Sequence, residues 1–213
     1  WRLKPDGRLL YESRRSDVLP DSAAGSFGGM SPVSVGTPIA GTEELGSQHV
    51  LTLQNGMDGY EGQSNDQINT GQWGNKGNMT PGEDHIFIYG NGEANRYSRE
   101  LIRFNLEGRL PAGAVVRRAA LVTHSPKVSA GGKQVVQGYP VLQPWTDGQT
   151  WWKNWGNGGS DPGYVDATPV CSERVGAIGN THFVLDVAVV QGWLERPARN
   201  HGLLFKNIRD DSG

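Results

Sequence analysis

The clearest hydrophobic pattern in the chain lies over residues 101–106, where apolar and polar side chains alternate. Ile102 and Phe104 are separated by polar neighbours, and a period of two residues is typical of a β-strand that buries one face. After a turn rich in Gly and Pro, the β-branched and small residues of 115–123 predict a second strand. Two strands cannot bury a core alone, so we expect another sheet to cover Ile102, Phe104 and Leu121.

Further strands are predicted from the same kind of pattern, and one helix from a change of period. The additional strand segments are 50–54, 85–89, 134–142, 181–186 and 202–207. Gly138 and Pro140 interrupt one of them, which is typical of an edge strand or a bulge. After residue 186, Val187, Val190 and Trp193 share one face of a short helix that Pro197 ends. Trp193 is therefore expected in the core.

The first 48 residues follow a different pattern from the rest. Trp1–Tyr11 contains Lys-Pro-Asp-Gly-Arg between two short segments and predicts a β-hairpin. Residues 16–47 are rich in Ser, Pro and Gly and show neither helical nor strand periodicity, which predicts an extended arm or linker. We therefore expect an N-terminal hairpin and arm over 1–48 and a single β-sandwich over 49–213.

Composition narrows the classes of fold and partner. Gly accounts for 31 of 213 residues and apolar residues for only 36%, which favours short strands joined by tight turns. A formal net charge of -2 provides no field that would attract a nucleic acid backbone, so no nucleic acid partner is expected. No apolar run is long enough to cross a bilayer, and no membrane partner is expected either. The single Cys171 excludes an intramolecular disulfide and is expected to be half-buried in a loop.

Carboxylates are concentrated between residues 55 and 69. Asp58, Glu61 and Asp66 lie there among several glycines. Oxygen ligands of this kind suit Ca²⁺, which accepts six to eight of them in flexible geometry. The spacing differs from that of an EF-hand loop. In the alternative interpretation, Asp and Asn side chains support turns through local hydrogen bonds.

Three groups combine aromatic and polar side chains in a way that suits sugar binding. A sugar ring presents apolar C–H faces that stack on aromatic planes, while its hydroxyls need planar polar partners. In the alternative interpretation each aromatic residue is structural. The groups are Trp73 with Lys76; Tyr89 with Arg96 and Tyr97; and Trp152, Lys153 and Trp155 with Tyr164.

Five segments, taken in order, resemble the DNRLRE-type or disaggregatase-related family of carbohydrate-binding-module-like domains. They are Ile102-Arg-Phe-Asn-Leu; Leu110-Pro-Ala-Gly-Ala-Val-Val with Ala119-Ala-Leu; Trp145-Thr with Thr150-Trp; Phe183-Val-Leu-Asp-Val with Val190-Gln-Gly-Trp; and Asn200-His-Gly-Leu-Leu. The resemblance implies a β-sandwich of jelly-roll type in large secreted or cell-surface proteins. The fold class is thus predicted as an all-β, antiparallel jelly-roll sandwich with one short helix and a long N-terminal arm.

The resemblance also implies a function and a metal. Some relatives are carbohydrate-binding modules for acidic polysaccharides such as alginate, so we expect a non-catalytic polysaccharide-binding module, extracellular or on the cell surface, with neighbouring domains. Related sandwiches place a metal near the terminal strands. A structural Ca²⁺ held by Asp58, Glu61, Asp66 or Asp186 is therefore expected.

Two other functions remain open at this point. The first is a structural or adhesive domain of a surface protein that binds no sugar. The second is a polysaccharide lyase, because Ser98-Arg-Glu-Leu-Ile-Arg103 looks like the Arg-Ser-Glu-Leu-Arg stretch of jelly-roll alginate lyases. The spacing differs by one residue, which in a strand turns a side chain to the opposite face.

Overall fold

A computed structural model describes residues 4–12, 48–69, 89–91, 96–125, 134–147 and 154–208, with backbone only for 4–12, 48, 69, 89–91 and 96–97. The strands are β1 (Lys4–Glu12), β2 (Gln48–Leu53), β3 (Gln63–Asn69), β4 (Tyr89–Asn91), β5 (Arg96–Phe104), β6 (Val115–Ser125), β7 (Gln134–Pro140), β8 (Cys171–Val175), β9 (Gly179–Leu185) and β10 (Leu203–Asn207). The helix α1 (Val187–Glu195) precedes a 3₁₀ turn at Pro197–Arg199, and Gly156–Gly159 forms a short turn whose central residues have left-handed dihedrals. This part of the chain is all-β with one short helix, as predicted.

The strands form two antiparallel sheets that pack face to face. One sheet has the order β2-β1-β6-β9, and the other has the order β3-β5-β10-β7-β8, with β4 also paired to β5. Leu121 and Phe183 of the first sheet share a buried cluster with Ile102, Leu203 and Phe205 of the second. The predicted antiparallel sandwich is therefore confirmed, while its jelly-roll connectivity stays a prediction.

Residues 4–12 form one continuous strand, so the predicted hairpin is wrong. Gly7 of β1 pairs with Leu53 of β2 on one side and with Leu121 of β6 on the other. Pro5 lies before the segment paired with β2, where its missing N–H interrupts no second ladder. Pairing on both sides thus overrides the local turn signal of Pro-Asp-Gly. The boundary between arm and sandwich stays a prediction, but β1 itself pairs with strands of the sandwich.

The two strands first recognised in the sequence lie in different sheets. β5 pairs with β3, β4 and β10, whereas β6 pairs with β1 and β9. The connection over 105–114 is longer than the roughly two to five residues of a tight hairpin, and it passes from one layer to the other. The expectation that another sheet covers both Ile102 and Leu121 is therefore wrong, because the two residues belong to opposite sheets. Ile102 and Leu121 meet in the interior, each as part of its own sheet.

Strand β5 is buried on both faces, although its sequence predicted one buried face. Ile102 and Glu100 point towards the other sheet, and Leu101 points away from it into a second apolar cluster. Loop residues Trp145 and Trp155 belong to that second cluster and cover the outer face of the sheet. The alternation of polar and apolar residues therefore does not mark the solvent side of this strand.

Strand β7 lies between β10 and β8 and pairs with both without a shift in register, so neither the predicted edge position nor the alternative of a bulge is found. Gly138 is required there by close packing. A Cβ atom at this position would lie 2.6 Å from the Cys171 Sγ atom and 2.9 Å from the nearest ring atom of Phe205. Cys171 is the buried first residue of β8 and not a loop residue, and burial raises the pKa of its thiol to about 12.

A buried carboxyl group interrupts the apolar interior. Glu100 is 0% exposed, and the side-chain amide of Asn65 donates to its Oε1 atom at 3.3 Å. Within the described ranges its Oε2 atom has no hydrogen-bond partner. Burial raises the pKa of Glu100 well above its usual value; the Asn65 hydrogen bond opposes this, and the charges of Asp66 and Asp147 add to it. Glu100 is therefore a neutral acid over a range in which ordinary glutamates are ionised.

The Glu100 carboxyl group should make stability depend on pH. The folded protein holds a proton that the unfolded chain releases above about pH 4.3, so the free energy of unfolding should fall as pH rises from there towards the raised pKa. Glu100→Gln removes the titration, and the variant should gain stability relative to the parent as pH rises from 4 to 8. Urea unfolding across this range measures the difference. Glu107→Gln makes the same chemical change at an exposed site and serves as the control. A curve for Glu100→Gln that runs parallel to the parent's would contradict the assignment.

A pair of glycine substitutions tests the packing of β10 against β5. Gly202 has a φ of 81°, and a Cβ atom there would overlap the carbonyl oxygen of Ile102. Gly202→Ala should therefore lower the free energy of unfolding by about 2–5 kcal/mol. In α1, a Cβ atom at Gly192 meets no atom within 4 Å, and Gly192→Ala should raise stability by about 0.5–1 kcal/mol. Denaturant unfolding measures the stability of both variants. A free energy of unfolding for Gly202→Ala equal to the parent's would contradict this packing.

Candidate functional site

Two adjoining clefts share Leu106, Trp193 and Pro197 as lining residues. We call them together the Trp193 groove. The narrower cleft, of about 330 Å³, is further lined by Glu61, Gly62, Ser64, Arg103, Asn105 and Asn200. The wider cleft, of about 460 Å³, lies between residues 107–115 and the end of α1. Both volumes suit a small ligand. An apolar cavity of about 50 Å³ lies in the core behind Trp193 and is too small for one.

Arg103 is held in the narrower cleft by its neighbours. Its guanidinium carbon lies 5.2 Å from the ring centre of Trp145, and its Nη2 atom donates to the Ser64 hydroxyl at 3.4 Å. Trp145 is itself fixed, because it is buried and its indole N–H donates to the His201 carbonyl at 2.7 Å. The pKa of His201 is lowered, mainly by partial burial and to a smaller extent by the Arg103 charge, so this imidazole is neutral at pH 7. The cation thus rests on a rigid aromatic platform.

Tyr60 anchors the turn that carries Glu61 to the cleft. Its ring stacks with Phe104 at a centroid distance of 6.5 Å, and its hydroxyl donates to the Asn105 carbonyl at 3.3 Å. The Arg109 guanidinium lies 5.0 Å from the same ring centre. Burial raises the pKa of Tyr60 to about 12, so its hydroxyl stays protonated. The exposed Glu61 follows directly in the chain and lines the cleft.

Two asparagines supply amide groups to the narrower cleft. Asn200 donates to the Phe104 carbonyl at 2.8 Å, and among the described residues its buried Oδ1 atom has no partner. Asn105 is exposed, and its Oδ1 accepts the backbone N–H of Glu107 at 3.0 Å. The cleft therefore offers amide, hydroxyl, guanidinium and carboxylate groups within one lining.

Trp193 is presented by a helix fastened at two points. Asp186 caps α1 by accepting the Ala188 N–H at 2.8 Å. On the side of β6, the Gln191 side chain accepts the Val116 N–H at 2.9 Å and donates to the Ala114 carbonyl at 3.3 Å. Trp193 packs against two core clusters and also lines both clefts.

The position of Trp193 at the groove does not follow from the sequence pattern. Helical spacing correctly placed this residue on the apolar face of α1. Whether part of its ring also borders a cleft depends on where residues 105–114 run, and periodicity does not contain that information. Asn200 begins the Asn-His-Gly-Leu-Leu segment, one of the five that resemble the DNRLRE-type family. This resemblance is the only feature of the sequence that singles out Asn200.

The predicted sugar-binding residues are not among those described as lining the Trp193 groove. Trp73, Lys76, Trp152 and Lys153 lie outside the described residues. Tyr89, Arg96 and Tyr97 lie on the adjacent strands β4 and β5, with Arg96 paired to Asn91 and Tyr97 paired to Gly90. Only the backbone of these three residues is described.

Trp155 and Tyr164 contact each other, with ring centres 5.2 Å apart in an edge-on arrangement. Trp155 is 5% exposed and belongs to the cluster that covers the outer face of β5. Its ring faces are therefore engaged in packing, and a direct stacking role for this residue has no support in the geometry. Tyr164 is partly buried beside it.

The four predicted calcium ligands lie in three separate parts of the structure. Asp58 and Glu61 are exposed on the turn before β3, Asp66 is buried within β3, and Asp186 caps α1. The predicted loop over 55–69 is thus wrong from Gln63 onwards, where the strand begins. Among the described residues, no three His, Cys, Asp or Glu side chains lie close enough to share a metal ion. The calcium site stays a prediction.

Comparisons of the chain with models of known protein families, with curated proteins and with solved structures find no match. The resemblance to DNRLRE-type domains therefore stays a prediction. Within the described ranges, no helix has the length and apolar character needed to traverse a bilayer.

Proposed function

We propose that this protein is a non-catalytic polysaccharide-binding module, part of a larger extracellular or cell-surface protein, and that its ligand lies in the Trp193 groove. One observation carries the proposal: the groove places an indole beside the guanidinium of Arg103, the carboxylate of Glu61 and the amides of Asn105 and Asn200. An aromatic plane suits the C–H face of a sugar ring, and planar polar groups suit its hydroxyls. The resemblance noted in the sequence supports the same class of ligand and setting.

The groups in the groove favour binding over lyase chemistry. A lyase needs a base that removes the proton next to the uronate carboxyl group, and none of the residues described as lining the two clefts is a His or a Tyr. Tyr60 precedes the lining residue Glu61 in the chain, but its pKa of about 12 makes it a poor base at neutral pH. Arg99, part of the lyase-like stretch, donates to the Gly158 carbonyl at 2.8 Å and to the Ser160 hydroxyl at 2.9 Å, which is a structural role.

A structural or adhesive domain is the second candidate. It is favoured by apolar side chains at and before β9, which is an edge strand of its sheet. Ile178 is 69% exposed and Val184 is 49% exposed. Such side chains are suited to packing against a neighbouring domain.

Substitution of Arg103 tests the proposed site. Affinity electrophoresis against a panel of neutral and acidic polysaccharides should first identify a retarding chain. Arg103→Gln should then weaken its binding by roughly tenfold or more, because a hydrogen bond to a charged group contributes about 1.5–3 kcal/mol. Glu61→Gln, at an exposed position, tests the same cleft without disturbing the core.

The matched control is Arg174→Gln, an exposed arginine on β8 that lines neither cleft. It should bind like the parent, and thermal melting should show that all variants fold. Parent-like binding by both groove variants would contradict the site. Retardation by no polysaccharide would favour the structural domain, and shortening of the chains would favour the lyase.

A further inference from the structure

The charged side chains that line the wider cleft of the Trp193 groove are acidic. Glu107 and Glu195 line it, and no Lys or Arg is among the residues described as lining it. The narrower half adds Glu61 together with Arg103. Three carboxylates thus face the ligand with one guanidinium among them.

Hydrogen bonds anchor the Glu195 carboxylate and the backbone of Glu107 in the wider cleft. Gln191, which is bonded to the backbone of β6, also donates to the Glu195 Oε1 atom at 3.3 Å. The Glu107 backbone N–H donates to the Asn105 side chain at 3.0 Å, which fixes the loop that carries it. The acidic character is therefore part of the built groove.

Arg109, Arg196 and Arg199 keep their positive charges next to lining residues in the chain, but none of the three lines either cleft. Arg103 is partly engaged, since it lies over Trp145 and donates to Ser64. Arg109 lies over the Tyr60 ring, and Arg196 is exposed.

We infer that the groove selects neutral polysaccharides and discriminates against polyuronates, an inference that rests on the proposed function. Carboxylate oxygens are strong acceptors for the hydroxyls of a neutral sugar. A polyuronate would instead bring one carboxylate per sugar unit towards Glu107 and Glu195, and like charges repel, most strongly at low ionic strength. The ligand class differs from the acidic chains that some resembling domains bind.

The first test compares ligands that differ in charge. Affinity electrophoresis at low ionic strength uses laminarin, xylan and galactomannan as neutral chains, and alginate and polygalacturonate as polyuronates. Polygalacturonate and its methyl ester form a matched pair with the same backbone. We expect retardation by at least one neutral chain, stronger than by either polyuronate, and stronger retardation by the methyl ester than by its free acid.

The second test changes the groove itself. A protein carrying both Glu107→Gln and Glu195→Gln should shift the ratio of polyuronate to neutral-chain affinity by roughly tenfold towards the polyuronate. Glu173→Gln on β8, which lines neither cleft, should leave this ratio unchanged.

The outcomes separate this inference from the proposed function. A polyuronate that retards the parent at least as strongly as every neutral chain would overturn the charge selection while leaving glycan binding in place. An unchanged affinity ratio in the double variant would do the same. Retardation by none of the chains would overturn the proposed function, and the inference with it.

Discussion

The double burial of β5 is the constraint on which the rest of the structure depends. Ile102 and Glu100 of this strand face the opposite sheet, while Leu101 faces a layer of loop residues that contains Trp145 and Trp155. A strand covered on both sides cannot slip in register, because a shift of one residue would exchange the contents of two different interiors. The same pairing brings Gly202 against the Ile102 carbonyl, where only glycine fits.

This constraint also explains where chemistry is available. The β5 side chains over 98–102 are buried, and among the described side chains Arg103, near the end of the strand, and the following Asn105 line a cleft. Three other segments converge on that end: the turn anchored by Tyr60, the last turns of α1, and the 3₁₀ turn at Pro197–Arg199. The groove is therefore assembled from pieces that are far apart in the chain and close together at one edge of the sandwich.

The fold class and most strands could be predicted from local patterns, whereas positions in the sheets could not. The alternation of apolar and polar residues predicted the positions of β9 and β10 closely. In β9, Phe183 is buried while His182 and Val184 are exposed. Gly138 and Pro140 predicted an edge strand or a bulge, but Gly138 is required by its close packing against the Cys171 side chain, which no local pattern reveals. Trp155 looked like a binding residue because of its polar neighbours, yet tertiary packing places it in a core cluster. Asp66 was likewise predicted in a loop, but it is a buried residue of strand β3.

The position of β10 has a consequence for how the chain is made. This strand is the last that the structure describes, and it lies between β5 and β7, with Leu203 paired to both Ile102 and Pro140. Until it emerges from the ribosome, the larger sheet is divided into two halves with open edges. The two halves of this sheet can therefore join only after β10 has been synthesised, so its assembly depends on contacts between residues that are far apart in the chain.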